Sequence, residues 1–353
     1  MAKKSNCPTR LGKVGGQAVL EGVMMKSGER VAVSVRRDDG EIASEVSDFV
    51  SVRKKHKILN IPIIRGVVNF IEMMALSMKT LNKSAELSGV GEELEESKFE
   101  KWMKKKFGKS VLDLVMGIAT FLGFALAILI FFLVPNFLAT QIGKWTGVSK
   151  VWEAVFASIT KIIIFIIYIK LVSLMKDIRR TFEYHGAEHK SIFCYESGEE
   201  LTVENVKKQR RFHPRCGTSF MFVMLILGII FSLAARLIIT YAIGFEIENN
   251  ILRALFYAGI GIMILLPLIM GTGYEFLMYA GKHNNLFVRI LSAPGLWMQR
   301  LTTREPDEKQ IEVAIRSLKL ALPDEFPEEQ TESASADGDE NGKAAPDENN
   351  DAE

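Results

Sequence analysis

Histidine is scarce in this chain, with five in 353 residues, and two of the five stand four apart in Tyr184-His185-Gly186-Ala187-Glu188-His189-Lys190. On a helix, positions i and i+4 share a face, so His185 and His189 can grip one ion together. A third, His213, follows in Phe212-His213-Pro214-Arg215-Cys216-Gly217-Thr218-Ser219. His185, His189, His213 and Cys216 form a set of imidazoles and a thiolate, the donors zinc prefers. A divalent metal, zinc first, is therefore the expected cofactor. A catalytic zinc uses three protein ligands and keeps a position for water, whose pKa it lowers. Glu188 beside the pair is the candidate general base, and Glu275 or His283 could complete the shell. The order His185-x-x-Glu188-His189 is also the reversed zinc-protease pattern, but nothing here supplies the large soluble chamber of those enzymes.

The elements that must position these residues are mostly apolar. Mean hydropathy is positive, at +0.14, and apolar residues make up 48% of the chain, which suits a membrane protein with a soluble part. Four runs are long enough to cross about 30 Å of hydrocarbon: 111–134, ending at Pro135; 151–174; 217–243; and 251–271. Both histidine stretches fall in the polar loop 175–216 between the second and third. Basic residues crowd the flanks on one side: Lys101, Lys104, Lys105, Lys106 and Lys109 before the first span, Lys176 to Arg215 after the second, and Lys282 to Arg304 after the fourth. Loops 135–150 and 244–250 are poor in them. The positive-inside rule then places both termini and the histidine loop in the cytoplasm. Asp113 and Arg236 lie inside spans, each near enough to an interface to snorkel.

The remainder divides around that bundle. Residues 1–57 read as a small β-rich cytoplasmic unit: Val31, Val33 and Val35 alternate with polar or small neighbours, Asp38-Asp39-Gly40 marks a turn, and Ile42 and Val46 follow. Residues 58–100 hold an interfacial amphipathic helix and a connector, with Arg65, Asn69, Glu72, Lys79 and Lys83 as its polar stripe. Residues 101–305 are the four-helix membrane domain, 306–322 an amphipathic helix, and 323–353 a disordered acidic tail. From 324 onward stand twelve Asp or Glu and one Lys, leaving a basic body suited to anionic membrane lipids, with a protein partner at the cytoplasmic face as a further expectation. Three cysteines (7, 194, 216) imply no disulfide framework. No phosphate-binding loop occurs, Gly271-Thr272-Gly273 lacks the strand and helix context of a dinucleotide site, and five histidines are too few for a membrane di-iron desaturase. No nucleic-acid contact is expected.

Six motifs in order carry a resemblance: Gly15-Gly16-Gln17-Ala18-Val19-Leu20-Glu21-Gly22-Val23-Met24-Met25, Arg65-Gly66-Val67-Val68, the two histidine stretches, Tyr274-Glu275, and Ser292 to Gln299 with Thr302-Thr303-Arg304-Glu305-Pro306. From about residue 11 to 321 the chain resembles the YqhQ-like family of bacterial membrane proteins. That resemblance implies a metal-dependent enzyme with no known reaction, and it gathers Gln17, Glu21, Arg65, the histidine loop, Glu275 and Arg304 on one cytoplasmic face. Two functions follow as expectations. One is a metal-dependent hydrolase or transferase acting on a lipid head group or membrane-bound substrate, with Gln17, Glu21, Arg65, Arg215 and Arg304 on the substrate side. The other is a non-enzymatic membrane scaffold or biogenesis factor whose metal is a structural clip. A transporter ranks third, since the spans hold few polar groups and no internal repeat.

Overall fold

A computed structural model describes residues 10–89, 109–244, 247, 249–283 and 285–328. Cys7, connector residues 90–100, Lys101 to Lys106, Glu246, Glu248 and the tail from 329 onward lie outside the described residues, as do the side chains of Lys109, Asp113 and Lys282.

The N-terminal part is a four-stranded antiparallel meander, β1 (Val14–Val19), β2 (Gly22–Ser27), β3 (Arg30–Arg36) and β4 (Ile42–Asp48), paired in sequence order. The Asp-Asp-Gly turn is present, with Gly40 at φ +94° and the Asp39 carboxylate accepting from the Glu41 N–H. The sheet is buried on both faces. Val23, Met25 and Ala32 pack with Tyr184, Ala187, Ile311 and Leu318 on one side. Met24, Val31, Val33 and Val35 pack with Leu76 on the other. The alternation follows from the two-residue period of a strand. It makes the sheet a middle layer rather than a separate unit.

Three helices supply the outer layers. α1 (Ile64–Ser88) covers one face, and α5 (Lys176–Glu196) with α11 (Glu308–Leu320) covers the other. α11 opens on a capping box in which the Asp307 carboxylate accepts from the Gln310 N–H and the Gln310 side chain accepts from the Asp307 N–H. Its core side chains Ile311, Leu318 and Leu320 are fully buried, each contributing about 1.5–3 kcal/mol by leaving water. α1 turns its small and hydroxyl residues inward: Ser84 Oγ accepts from the Leu20 N–H, and Ser77 donates to Gln17 Oε1. Its apolar residues Ile71, Met74 and Met78 face outward.

The apolar part begins with α2 (Lys109–Ile128), a π-helical segment Leu129–Leu133 and α3 (Val134–Thr146), which form one continuous rod. α4 (Lys150–Val172) returns antiparallel to it. After α5 and the short α6 (Val203–Lys207) come α7 (Gly217–Leu237), α8 (Asn250–Ile260), a π segment Gly261–Leu265, α9 (Leu266–Lys282) and α10 (Leu286–Thr302). Among the described residues, four helices are long and apolar enough to cross a membrane: Thr120–Thr146, Val151–Val172, Phe220–Leu237 and Met263–Ala280. Few of their side chains are buried, and Phe121 and Phe124 are more than 70% exposed.

Two expectations are corrected here. The first span does not stop at Pro135. Proline lacks an N–H and crowds the carbonyl four residues back, which ordinarily ends or kinks a helix. The wider π turn just upstream absorbs that conflict, and the same device precedes Pro267. The histidine stretch is also not a loop. It lies on the 21-residue helix α5, which the extended Met175 separates from α4.

Candidate metal centre

α5 carries His185, Glu188 and His189 into the interior, where they are 8%, 5% and 1% exposed. The helix can approach so closely because residue 186 is glycine. A Cβ there would lie 2.0 Å from the Arg304 carbonyl oxygen. The segment after α10 therefore runs directly over the helix, and the Arg304 N–H donates to the Phe182 carbonyl.

Each imidazole is oriented by a backbone carbonyl. His185 Nδ1 donates to the Thr302 oxygen at 2.8 Å, and His189 Nδ1 donates to the Arg211 oxygen. Both Nε2 lone pairs are thereby left for a ligand, the arrangement by which second contacts set the ligating tautomer. Cys216 sits between the rings, its Sγ 3.2 Å from His185 Nε2. One donor atom from each of His185, His189 and Cys216 lies within 4.8 Å of the others. His189 Nε2 is buried and makes no hydrogen bond. A buried nitrogen without a partner is costly, and a cation between these three donors would satisfy it. Burial pulls the His189 pKa below its ordinary value against the raising effect of Cys216, so the ring is held in the neutral form that binds metals.

Glu188 projects next to this cluster and packs on β1 at Gly16. Burial pushes its carboxyl up to about 8, opposed by His185 and reinforced by Cys216. A carboxyl with that pKa is suited to exchange a proton near neutrality.

His213 is adjacent but turned aside. Its ring centroid is 5.6 Å from that of His189, its Nδ1 accepts from the Arg215 N–H at 3.4 Å, and its Nε2 faces Glu196 Oε2 at 3.6 Å. Gln299 clamps its backbone, accepting from the His213 N–H at 2.8 Å and donating to its carbonyl at 2.7 Å. Burial keeps the His213 pKa low even with Glu196 beside it. Glu196 takes hydrogen bonds from Arg215 and from the Gly12 N–H. Burial alone would raise its pKa, but His213, the Gly12 N–H and the Arg215 charge together bring it below the usual carboxylate value.

Other candidates are engaged elsewhere. Glu275 is held by a two-pronged contact from Arg65, Nε to Oε1 at 2.6 Å and Nη2 to Oε2, where α1 crosses α9. That crossing is close because a Cβ on Gly271 would meet the Ile63 Cα at 2.7 Å. Glu21 pairs with Arg180 at 2.6 Å, Gln17 with Ser77, and the Arg304 guanidinium with the Ser173 carbonyl at 3.4 Å. His283 stacks on Tyr279. The structure thus brings together His185, His189, Cys216 and Glu188, sets His213 and Arg215 beside them, and gives Gln17, Glu21, Arg65, Glu275 and Arg304 contacts of their own.

Glu196 and Gln299 were not anticipated. The signal for Glu196 was present: it lies seven residues after His189 and eleven after His185, on the same helical stripe. Gln299 offered no local signal.

Residues 61–324 match the family described as "Protein of unknown function (DUF1385)". The chain belongs to that family. It is also 35% identical to the "Uncharacterized protein YqhQ" of Bacillus subtilis (strain 168) over 314 residues, covering 87% of this chain and 92% of that protein. No solved structure matches it. Family membership brings neither reaction nor ligand, so any function rests on the site.

Proposed function

We propose that this chain is a membrane-embedded metal-dependent enzyme, a hydrolase or transferase working where the bundle meets the cytoplasm, on a lipid head group or another membrane-bound substrate. The observation that carries this reading is the convergence of one donor atom each from His185, His189 and Cys216 within 4.8 Å of one another, each imidazole fixed by a backbone carbonyl. Two imidazoles and a thiolate favour zinc. A bound divalent ion supplies Lewis-acid polarisation of a carbonyl or phosphoryl oxygen. The chain's own part is to hold the three donors, to exclude bulk water by burial, and to place the Glu188 carboxyl beside them as the proton acceptor. Arg215, next to His213, pairs with Glu196 and would serve as an anion partner by exchanging that carboxylate for the substrate's.

The scaffold reading, with a closed structural ion, needs a fourth protein ligand. Among the described residues, neither of the two strongest candidates joins the three donors: Glu275 is held by Arg65, and His213 stands outside the group within 4.8 Å, its Nε2 3.6 Å from Glu196 Oε2. The outward apolar faces of α1 and the four long helices support membrane residence, and the basic flanks support a cytoplasmic site. Anionic lipids are the partners this arrangement favours.

The test is metal analysis of the purified full-length protein by plasma mass spectrometry. About one zinc per chain is expected. His185→Ala combined with His189→Ala should abolish it while Glu188→Gln retains it. Metal content unchanged in the double variant would refute the ligand assignment. An externally applied thiol reagent that labels a cysteine introduced at position 204 in intact cells would overturn the orientation.

A further inference from the structure

The opposite end of the apolar bundle holds a second polar site. Cys216 directly precedes α7 and Arg236 stands near its end, so at 1.5 Å per residue the two are separated by roughly 30 Å. Around Arg236 lies a cavity of 620 Å³, walled on one side by Leu129, Leu133 and Phe137 and on the other by Arg253 and Tyr257. A smaller cavity of 60 Å³ adjoins it, sharing Asn136, Arg236 and Tyr257 and reaching Lys161. The combined volume falls in the range of small-molecule sites, about 300–1,000 Å³.

The charges here do not balance. The Arg236 guanidinium lies 5.2 Å over the Tyr257 ring, and Lys161 Nζ lies 5.2 Å over the Phe132 ring. Among the described residues neither is in an ion pair. The carboxylate whose field reaches Arg236 is Glu153, and it is tucked against Gly143, where a Cβ would lie 2.6 Å from its Cγ. Arg236, close enough to an interface to snorkel, lines this cavity. Cations inside an apolar bundle are costly unless an anion or a polar pathway compensates them, and a guanidinium fork suits phosphate oxygens.

We propose that this cavity binds a phosphate-bearing lipid, its phosphate between Arg236 and Lys161 and the upper part of its chain against Leu129, Leu133 and Phe137. The apolar wall favours a lipid over a free phosphate ion. The proposal does not depend on the His185–His189–Cys216 reading, and either can fail alone.

The test uses the full-length protein in neutral detergent. Native mass spectrometry counts lipid retained from mixed micelles containing phosphatidylglycerol or phosphatidylcholine, and a parallel arm measures thermal protection by inorganic phosphate. Phosphatidylglycerol should be retained preferentially. Arg236→Gln should weaken retention about tenfold or more, the loss of one charge-assisted contact. Lys161→Gln should act in the same direction, and Lys55→Gln, at an exposed position before α1, should not. If Arg236→Gln fails to fold, Lys161→Gln, which leaves the Arg236–Tyr257 contact in place, decides the matter. Protection by inorganic phosphate equal to that by the lipid overturns the lipid assignment in favour of a soluble anion. Retention unchanged in folded Arg236→Gln or Lys161→Gln overturns the site.

Discussion

Gly16 of β1 faces the side chain of Glu188 on α5: a Cβ at position 16 would lie 2.8 Å from Glu188 Cγ and 2.9 Å from its Cδ. The sheet therefore forms one wall of the candidate site. Gly16→Ala meets only a side chain, which can yield, so it should cost about 1–3 kcal/mol and displace the carboxyl. Gly186→Ala meets the Arg304 backbone carbonyl at 2.0 Å, where neither partner can yield. It should be much the more damaging of the two in thermal unfolding. Equal melting temperatures would show that the two contacts are not as described.

Glu188 gives a pH dependence to the metal-free protein. In the folded chain its carboxyl keeps a proton up to about 8, whereas the unfolded chain loses it near the ordinary value of 4.5. The folded state thus binds the extra proton between those limits. Stability from this group is complete below 4.5 and is lost as pH rises through about 8. His189 and His213, whose pKa values are lowered, act in the opposite direction, with stability lost as pH falls below about 6.5. In the presence of a chelator, Glu188→Gln should be more stable than wild type above pH 8, by a margin that vanishes towards pH 5. Parallel melting curves across that range would refute the buried, protonated Glu188.

Gln299 satisfies both backbone groups of His213. Gln299→Leu keeps the volume and removes both partners. The His213 N–H is left unpaired, at a cost of about 1–3 kcal/mol, while the carbonyl keeps the Cys216 N–H at 3.4 Å. Hydrogen exchange at residues 211–216 should accelerate, and bound metal should be lost more readily to a chelator. Unchanged exchange there would show that the segment is held by other contacts.

Metal content separates ligands from bystanders. Cys216→Ser should lower zinc occupancy, because a hydroxyl is a far poorer zinc ligand than a thiolate. Glu275→Gln should leave it unchanged and instead loosen the α1–α9 crossing, seen as a lower melting temperature. Zinc loss in Glu275→Gln would return that carboxylate to the shell.

Much of the architecture was legible in the residues. Long apolar runs announce the four helices because spanning length and hydropathy are local properties. The Val31–Val33–Val35 alternation and the Asp-Asp-Gly turn announce β3 and β4 for the same reason. The i, i+4 spacing of His185 and His189 indicates one face of a helix, and the structure puts them on α5. Pro135 misled, because the chain meets a helix-breaking residue with a π turn that leaves no mark in composition.

What the chain order alone determined is thus an inventory: four apolar helices, an amphipathic layer and a small set of metal-binding side chains. Tertiary structure decided which of those side chains meet. Cys216 joins His185 and His189, while Glu275, which looked equally able, is held by Arg65 across a glycine-lined helix crossing. It also decided that Gly16, Gly186, Glu196 and Gln299 shape the site from positions as far apart as β1 and α10. The physical reason is that donor chemistry and helical period are written in neighbouring residues, whereas close approach depends on which surfaces lack a Cβ and which backbone groups still need a partner once the layers have packed.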